Sequence, residues 1–253
     1  MTPMSGFESR YGELTVRVFP TSAEMARAAA GDAGAVLQRT LDERGEANAM
    51  FATGNSQLEM LTCLVALADI AWGHVRLFHM DEYIGLADDH PASFRRYIRT
   101  RLADVVHPLE AHYVGGPGGT PDEYTALLRA HPLDLCVMGI GENGHLAFND
   151  PPVADFDDPL DVKVVDLDEA CRRQQVGEGH FATMAEVPAQ AITVTIPALL
   201  RAHSVVVVCP DQRKAAPVAA ALTGPVTTDC PASILRRCSH ARLYLDEAAA
   251  GLL

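Results

Sequence analysis

Short strand-like apolar runs alternate with helix-like segments along this chain, and this alternation limits its fold more than any other feature. The apolar runs lie at residues 14–19, 49–52, 75–79, 133–138, 192–196 and 204–209. Helical periodicity or capping residues are found at residues 22–44, 58–70, 91–102 and 214–222. The pattern is typical of an α/β protein in which an open, mostly parallel sheet carries helices on both faces.

The length of 253 residues suits one domain, spanning residues 1–253, better than two complete domains. One segment differs in composition from the rest, because residues 150–170 hold eight acids and a single base and include prolines. We interpret this segment as a mobile flap and expect a candidate lid at residues 150–186.

The net charge of −13 opposes the binding of a long polyanion, so we expect no nucleic-acid partner. More than half of that charge lies in residues 150–170. The remainder of the chain is therefore only mildly acidic, and a local site for one small anion stays compatible with it.

The six cysteines form no C-x-x-C pair and are interpreted as reduced structural thiols. No stretch approaches the roughly 18 uninterrupted apolar residues of a membrane helix. The first ten residues also lack the basic-then-apolar order of a signal peptide. We expect a cytoplasmic protein without a membrane partner.

Two features at predicted strand ends suit a phosphate group. Thr53, Gly54, Asn55 and Ser56 join a strand to a helix, where hydroxyl groups and helix N–H groups can bind an anion. Lys214 opens a helix after another strand and can supply a positive charge. The alternatives are an ordinary helix N-cap for the first feature and a surface charge for the second.

Asp81 follows the strand at 75–79 and is a candidate general base for a C–H proton. The alternative interpretation is that Asp81 is a solvated carboxylate in a loop.

His145 follows a glycine-rich turn with Gly139, Gly141 and Gly144, and Asp150 is a candidate partner that orients the imidazole. The alternative interpretation is that His145 is a loop histidine without a catalytic role. The turn also matches the G-x-G-x-x-G pattern of dinucleotide-binding loops, but no acidic residue ends a following strand at the expected distance. The ten histidines lack H-x-x-x-H and H-E-x-x-H spacings on an apolar helix, so no metal site is predicted.

Taken together, three segments resemble the glucosamine-6-phosphate deaminase/isomerase family, which is related to the 6-phosphogluconolactonases. They are residues 52–56 (ATGNS), 80–86 (MDEYIGL) and 139–149 (GIGENGHLAFN). The lactonase branch usually has arginine where this chain has Tyr83, and threonine and serine where it has Leu146 and Phe148. The resemblance therefore favours the deaminase branch and a Rossmann-like fold of the deaminase/isomerase type.

The resemblance implies conversion of an amino-sugar 6-phosphate, most simply glucosamine 6-phosphate, into fructose 6-phosphate and ammonia, without a cofactor. Asp81 would transfer a proton from C2 to C1 of the opened sugar, and His145 would assist ring opening with Asp150 as its acidic partner. The residues that would hold the phosphate are Thr53, Gly54, Asn55, Ser56 and Lys214.

Three positions depart from the family pattern. Asn143 stands where an acid is common, and Asp150 stands where glutamate is common. The phosphate-binding arginine of the family's lid has no unique counterpart, and Arg172 is the candidate. The alternatives are therefore a 6-phosphogluconolactonase-like hydrolase, in which His145 would activate water, and a non-catalytic sugar-phosphate sensor. A homo-oligomer is compatible with either function.

Overall fold

The computed structural model describes residues 6–116 and 119–253, in which eleven strands form two sheets. The strands are β1 (Phe7–Tyr11), β2 (Leu14–Phe19), β3 (Ala47–Phe51), β4 (Val75–His79), β5 (Asp81–Tyr83), β6 (Glu110–His112), β7 (Leu135–Met138), β8 (Val162–Asp166), β9 (Gln190–Val194), β10 (Ser204–Cys209) and β11 (Ala241–Asp246). Eight of these strands form the main sheet, in the order β1-β2-β11-β10-β7-β3-β4-β6. Only the pair β1 and β2 is antiparallel in this sheet.

The described residues form eight α-helices, several of which cover the two faces of the main sheet. They are α1 (Ser22–Arg44), α2 (Leu58–Val65), α3 (Phe94–Ile98), α4 (Asp104–Val106), α5 (Pro121–Ala130), α6 (Glu169–Gly177), α7 (Ile196–Leu200) and α8 (Ala215–Thr223). A π-helical turn over Arg99–Ala103 joins α3 to α4. Among these residues, no helix is both long enough and apolar enough to cross a membrane.

Side chains of β10 alternate between two hydrophobic cores, one on each face of the sheet. Val205 and Val207 belong to the core that includes residues of α5, α7 and α8. Val206 and Val208 belong to the core that includes residues of α1 and α2. Because successive strand residues point to opposite faces, a strand covered on both sides is apolar throughout. The predicted α/β architecture with helices on both faces is confirmed.

Helix α1 begins and ends as its sequence predicts. The Thr21 side chain accepts a hydrogen bond from the Glu24 N–H, which satisfies a free donor of the first turn. Gly45 ends the helix in the left-handed region with a φ of 79°, and its N–H donates to the Leu41 carbonyl.

Other predicted boundaries need correction. The helix predicted at 58–70 ends at Val65, and the helix predicted at 91–102 begins at Phe94. The run at 192–196 is a strand only to Val194, and it lies outside the main sheet. Its apolar residues are buried as those of a parallel strand would be, so the pattern of burial alone does not distinguish the two sheets.

The second sheet is small and antiparallel, with β9 between β5 and β8. Beside it lies a separate cluster of buried aromatic side chains, in which the Tyr83 ring is 4.9 Å from Phe94, 5.2 Å from Phe148 and 5.4 Å from Phe181. Cys171 and Phe181, both from the candidate lid, are buried in this cluster. The lid is therefore packed onto the domain in this structure, and its mobility stays a prediction.

A buried carboxylate joins β5 to the start of α3. The oxygens of Glu82 accept hydrogen bonds from the Ser93 hydroxyl and from the N–H groups of Tyr83, Phe94 and Arg95. The Arg95 guanidinium lies 3.3 Å from the same carboxylate. Negative charge at a helix N-terminus is favourable, and here it also neutralises a buried cation.

We expect Glu82→Gln to lower the free energy of unfolding by about 3 kcal/mol. The amide NH₂ group cannot accept the hydrogen bonds that one carboxylate oxygen accepts, and Arg95 loses a buried partner. Urea denaturation of the wild type and variant measures the change. Glu43→Gln, at an exposed position of α1, is the control and should change stability by less than about 0.5 kcal/mol. An equal effect of the two substitutions would contradict the structural role of Glu82.

Candidate active site

A cleft opens at the carboxyl ends of four parallel strands, β3, β4, β7 and β10. This is the edge at which open α/β sheets bind ligands, because the loops after the strands converge there. Counting the part open to solvent, the cleft encloses about 590 Å³. The predicted site residues that line it are Thr53, Gly54, Ser56, Asp81, His145 and Lys214.

The loop after β3 turns sharply at Gly54, whose φ of 101° lies in the region that favours glycine. The Tyr97 hydroxyl donates to the Gly54 carbonyl at 3.0 Å. Gln57 is buried, and its amide donates to the Ser56 hydroxyl oxygen at 3.0 Å and to the Val208 carbonyl at 3.2 Å. Tyr97 and Gln57 thus position the loop, and sequence analysis singled out neither of them.

Lys214 is buried at the end of a short 3-10 helix that follows β10. The turn before it is strained, because Asp211 has a φ of 72°. The Asp211 N–H donates to both carboxylate oxygens of Asp246, at 3.2 and 3.1 Å, which holds the turn in this conformation. Within the described part of the chain Lys214 forms no ion pair at 4.0 Å or less.

Asp81 lies in β5, where it pairs with Thr193 of β9. Its carboxyl group lines the cleft but is almost completely buried. Burial raises the pKa of Asp81 well above its usual range, and the negative charges of Glu82 and Asp150 raise it further. A carboxyl group with a raised pKa is suited to accept and return a proton near neutral pH.

The His145 ring packs directly against the backbone of Gly141. A Cβ at that position would overlap the imidazole, so the close approach requires glycine. The Gly141 N–H also donates to the His145 carbonyl at 3.0 Å. Gly141 thus places its backbone against the imidazole, and an approach of the glycine-rich turn to a ligand stays a prediction.

His145 and Asp150 form a close contact, with Nδ1 and Oδ1 2.8 Å apart. Asp150 is buried, and burial alone raises its pKa. The charge and hydrogen bond of His145, together with hydrogen bonds from Asn143 and Cys171, outweigh this effect, so the pKa of Asp150 lies below its usual range. The contact with Asp150 engages Nδ1 of the imidazole and leaves Nε2 for a ligand.

Asn143 connects the same groups without adding a charge. Its amide nitrogen donates to Asp150 Oδ1 at 2.8 Å, and its amide oxygen accepts from the His145 N–H at 3.1 Å. A carboxylate at position 143 could not donate to Asp150. The amide therefore lets a single carboxylate serve the imidazole.

His145, Asp150 and Cys171 bring three possible metal-ligand atoms within 4.8 Å of one another. The imidazole nitrogen and the carboxylate contact each other directly. Burial and the nearby Asp150 charge raise the pKa of the Cys171 thiol well above its usual range, so the thiol stays protonated. These contacts favour a hydrogen-bonded group, and a site without a metal stays a prediction.

Two predicted phosphate ligands lie elsewhere. Arg172 does not line the cleft, and its guanidinium donates to the carbonyls of Met184 and Val187 at 2.6 and 3.1 Å. Asn55 is exposed, and its amide donates to the Glu178 carbonyl at 3.5 Å. In this structure both residues stabilise the lid, and a role in holding phosphate stays a prediction for each.

Residues of the lid that sequence analysis did not select cover the cleft. They are Gln174, Gln175, Glu178 and His180. The segment that contains them was noted only as the place of a lid arginine. No glycine pattern or strand end marks which of its side chains turn toward the cleft.

Comparison with known proteins shows the family to which this chain belongs. Residues 20–245 match the family described as glucosamine-6-phosphate isomerases/6-phosphogluconolactonase. A glucosamine-6-phosphate deaminase of Exiguobacterium sibiricum is 38% identical over 186 residues, 71% of each chain. A glucosamine-6-phosphate deaminase of Corynebacterium glutamicum is 31% identical over 214 residues, which cover 80% of this chain and 82% of the relative.

Solved structures show the same fold. A monomeric glucosamine-6-phosphate deaminase superposes with a TM-score of 0.83 at 25% identity, covering 94% of this chain and 99% of the other. A 6-phosphogluconolactonase from Shewanella baltica superposes with a TM-score of 0.74 at 18% identity, again covering 94% and 99%. The second similarity concerns the fold alone.

The raised pKa of Asp81 has a consequence for stability. A carboxyl group whose pKa is higher in the folded protein contributes stability below its unfolded pKa, and that contribution is lost as the pH rises through the folded pKa. We therefore expect Asp81→Asn to raise the free energy of unfolding at pH 7.5 by about 1–2 kcal/mol and to have a smaller effect at pH 4.

Urea denaturation at both pH values measures this difference. Asp89→Asn, at an exposed loop position, is the control and should show no pH-dependent gain. A gain for Asp81→Asn that is the same at both pH values would show that the ionisation of Asp81 is not its source.

Proposed function

The chain belongs to the family of glucosamine-6-phosphate isomerases and 6-phosphogluconolactonases, and from this membership we propose that it converts glucosamine 6-phosphate into fructose 6-phosphate and ammonia. The observation that carries the proposal is the buried Asp81 carboxyl group in a cleft that also holds His145 and Lys214. Isomerisation needs a base for a carbon-bound proton, and a raised pKa suits Asp81 to that task.

The phosphate group anchors the substrate through the loop after β3 and Lys214. Thr53, Gly54 and Ser56 offer hydroxyl and N–H donors, and Lys214 offers a positive charge. Binding energy from this remote group can position C2 of the sugar against Asp81.

Ring opening is the task of His145. The imidazole takes the proton of the anomeric hydroxyl and delivers a proton to the ring oxygen, so that the C1–O5 bond breaks and an aldehyde forms. The Asp150 carboxylate, 2.8 Å from Nδ1, stabilises the protonated form of the ring during this transfer.

Asp81 then removes the proton from C2, which gives an enolamine, and returns a proton to C1. The product is a ketose imine at C2, and addition of water followed by loss of ammonia leaves fructose 6-phosphate. The same carboxyl group thus acts first as base and then as acid, which its raised pKa supports.

Incubation of the purified protein with glucosamine 6-phosphate, with ammonia and fructose 6-phosphate measured together, tests the proposal. We expect the two products in equal amounts. Hydrolysis of 6-phosphogluconolactone that persists in Asp81→Asn would instead assign the lactonase activity. Thermal stabilisation by sugar phosphates without turnover of glucosamine 6-phosphate or an epimeric amino sugar would assign a sensor.

Substitutions at the catalytic and phosphate-binding parts of the cleft should change different kinetic constants. We expect Asp81→Asn to lower kcat by at least ~10²-fold while the Kd for fructose 6-phosphate stays nearly unchanged, because only a proton-transfer group is lost. Lys214→Ala should instead raise KM about 10-fold or more, because the phosphate loses its cation.

Arg213→Ala is the matched control for Lys214→Ala. Arg213 is the neighbouring cation, but its side chain is half-exposed, pairs with Asp211 and does not line the cleft. Its removal should change KM by less than about 2-fold. Equal effects of Asp81→Asn and Lys214→Ala on both binding and turnover would contradict the separate roles.

A further inference from the structure

The lid places an acid beside the candidate phosphate subsite. Glu178 follows α6 and lines the same cleft as Lys214, Thr53 and Ser56. A carboxylate repels a phosphate group, so its presence next to the phosphate ligands needs an explanation.

The position of Glu178 is fixed by several contacts. The carboxylate accepts a hydrogen bond from the Gln174 amide at 2.8 Å and lies 3.3 Å from the His180 Nε2. The backbone carbonyl accepts from the Asn55 amide at 3.5 Å, which links the lid to the loop after β3. The side chain is only 10% exposed. The Glu178 side chain is therefore fixed in the wall of the cleft and is not a solvated surface carboxylate.

Glu178 carries a negative charge at neutral pH. Burial raises its pKa, but hydrogen bonds from His180 and Gln174 and the positive charges of Lys214 and His180 outweigh that effect, so the pKa lies below its usual range. The charges of Lys214 and Glu178 thus influence each other across the cleft.

We propose that Glu178 weakens the binding of phosphate groups at this subsite, because its negative charge lies in the same cleft as Lys214 and competes with the ligand for that cation. The proposal rests on the function proposed above, because it takes the subsite around Lys214 to bind phosphate. A free phosphate ion gains only the contacts of the subsite and has to overcome the carboxylate. A sugar phosphate gains further contacts along the cleft, which offset the same repulsion. Glu178 therefore lowers the affinity for both ligands, and the sugar phosphate still binds tightly because of its further contacts.

Titration with inorganic phosphate, followed by calorimetry or ³¹P NMR, tests the proposal. Glu178→Gln removes the charge at nearly constant shape, and we expect the Kd for phosphate to fall about 10-fold, which corresponds to about 1.4 kcal/mol. Glu142→Gln is the matched control, because Glu142 is an exposed acid that does not line the cleft. Its Kd should stay within about 2-fold of the wild type.

A double-mutant cycle identifies Lys214 as the origin of the gain. In a Lys214→Met background, Glu178→Gln should tighten phosphate binding by less than about 2-fold. The proposal is overturned if Glu178→Gln leaves the Kd unchanged or weakens binding, or if the gain persists without Lys214. If Glu178→Gln fails to fold by circular dichroism, Glu178→Met removes the same charge and carries the same expectation.

These titrations require no turnover, so the proposal and the proposed function can fail separately. A tightened Kd with no ammonia release would uphold the role of Glu178 and reject the deaminase activity. Ammonia release with an unchanged Kd in Glu178→Gln would reject the role of Glu178 alone. Absence of measurable phosphate binding in both the wild type and Glu178→Gln, repeated with fructose 6-phosphate as the probe, would also overturn it.

Discussion

Parallel pairing of β10, β7, β3 and β4 is the constraint on which the rest of the structure depends. Because these strands run in one direction, their carboxyl ends meet at one edge of the sheet, and residues far apart in sequence become neighbours. The two cores seal both faces of the sheet, so the edge is the place where polar groups can be exposed to a ligand. The cleft is thus a consequence of the topology, and the loops supply its chemistry.

Two carboxyl groups in this cleft have opposite environments. Asp81 lies among other acids in a dry position, and burial raises its pKa. Asp150 is also buried, but the charge and hydrogen bonds of its neighbours, His145 first, lower its pKa. Two carboxyl groups whose environments shift their pKa values in opposite directions are suited to different roles. In the proposed reaction, Asp81 exchanges protons with the substrate, and Asp150 remains charged beside the imidazole.

Strand ends were the part of the site that the sequence could predict. Gly54, Asp81, His145 and Lys214 each follow a strand, and parallel topology is enough to bring them together. The position of the lid cannot be predicted in this way. Glu178 belongs to a segment that packs against the domain through a separate aromatic cluster, not through a strand of the main sheet.

The positions of Arg172 and β9 in the structure also have physical reasons. Arg172 could not be distinguished from other lid arginines, since its partners are backbone carbonyls of Met184 and Val187 that no side-chain pattern marks. The strand β9 was expected in the main sheet because the apolar run at residues 192–196 resembles those of the parallel strands. In both cases long-range contacts determine the position in the fold, and the local sequence does not predict those contacts.

The hydrogen bond from Asn143 to Asp150 restricts how this chain can diverge from its relatives. Asn143 and Asp150 looked like two separate departures from the family pattern, but they contact each other and the same histidine. A return to an acid at position 143 alone would set two carboxylates against one imidazole and remove a donor from a buried oxygen. The two positions are therefore coupled, and the effect of a substitution at one of them depends on the residue at the other.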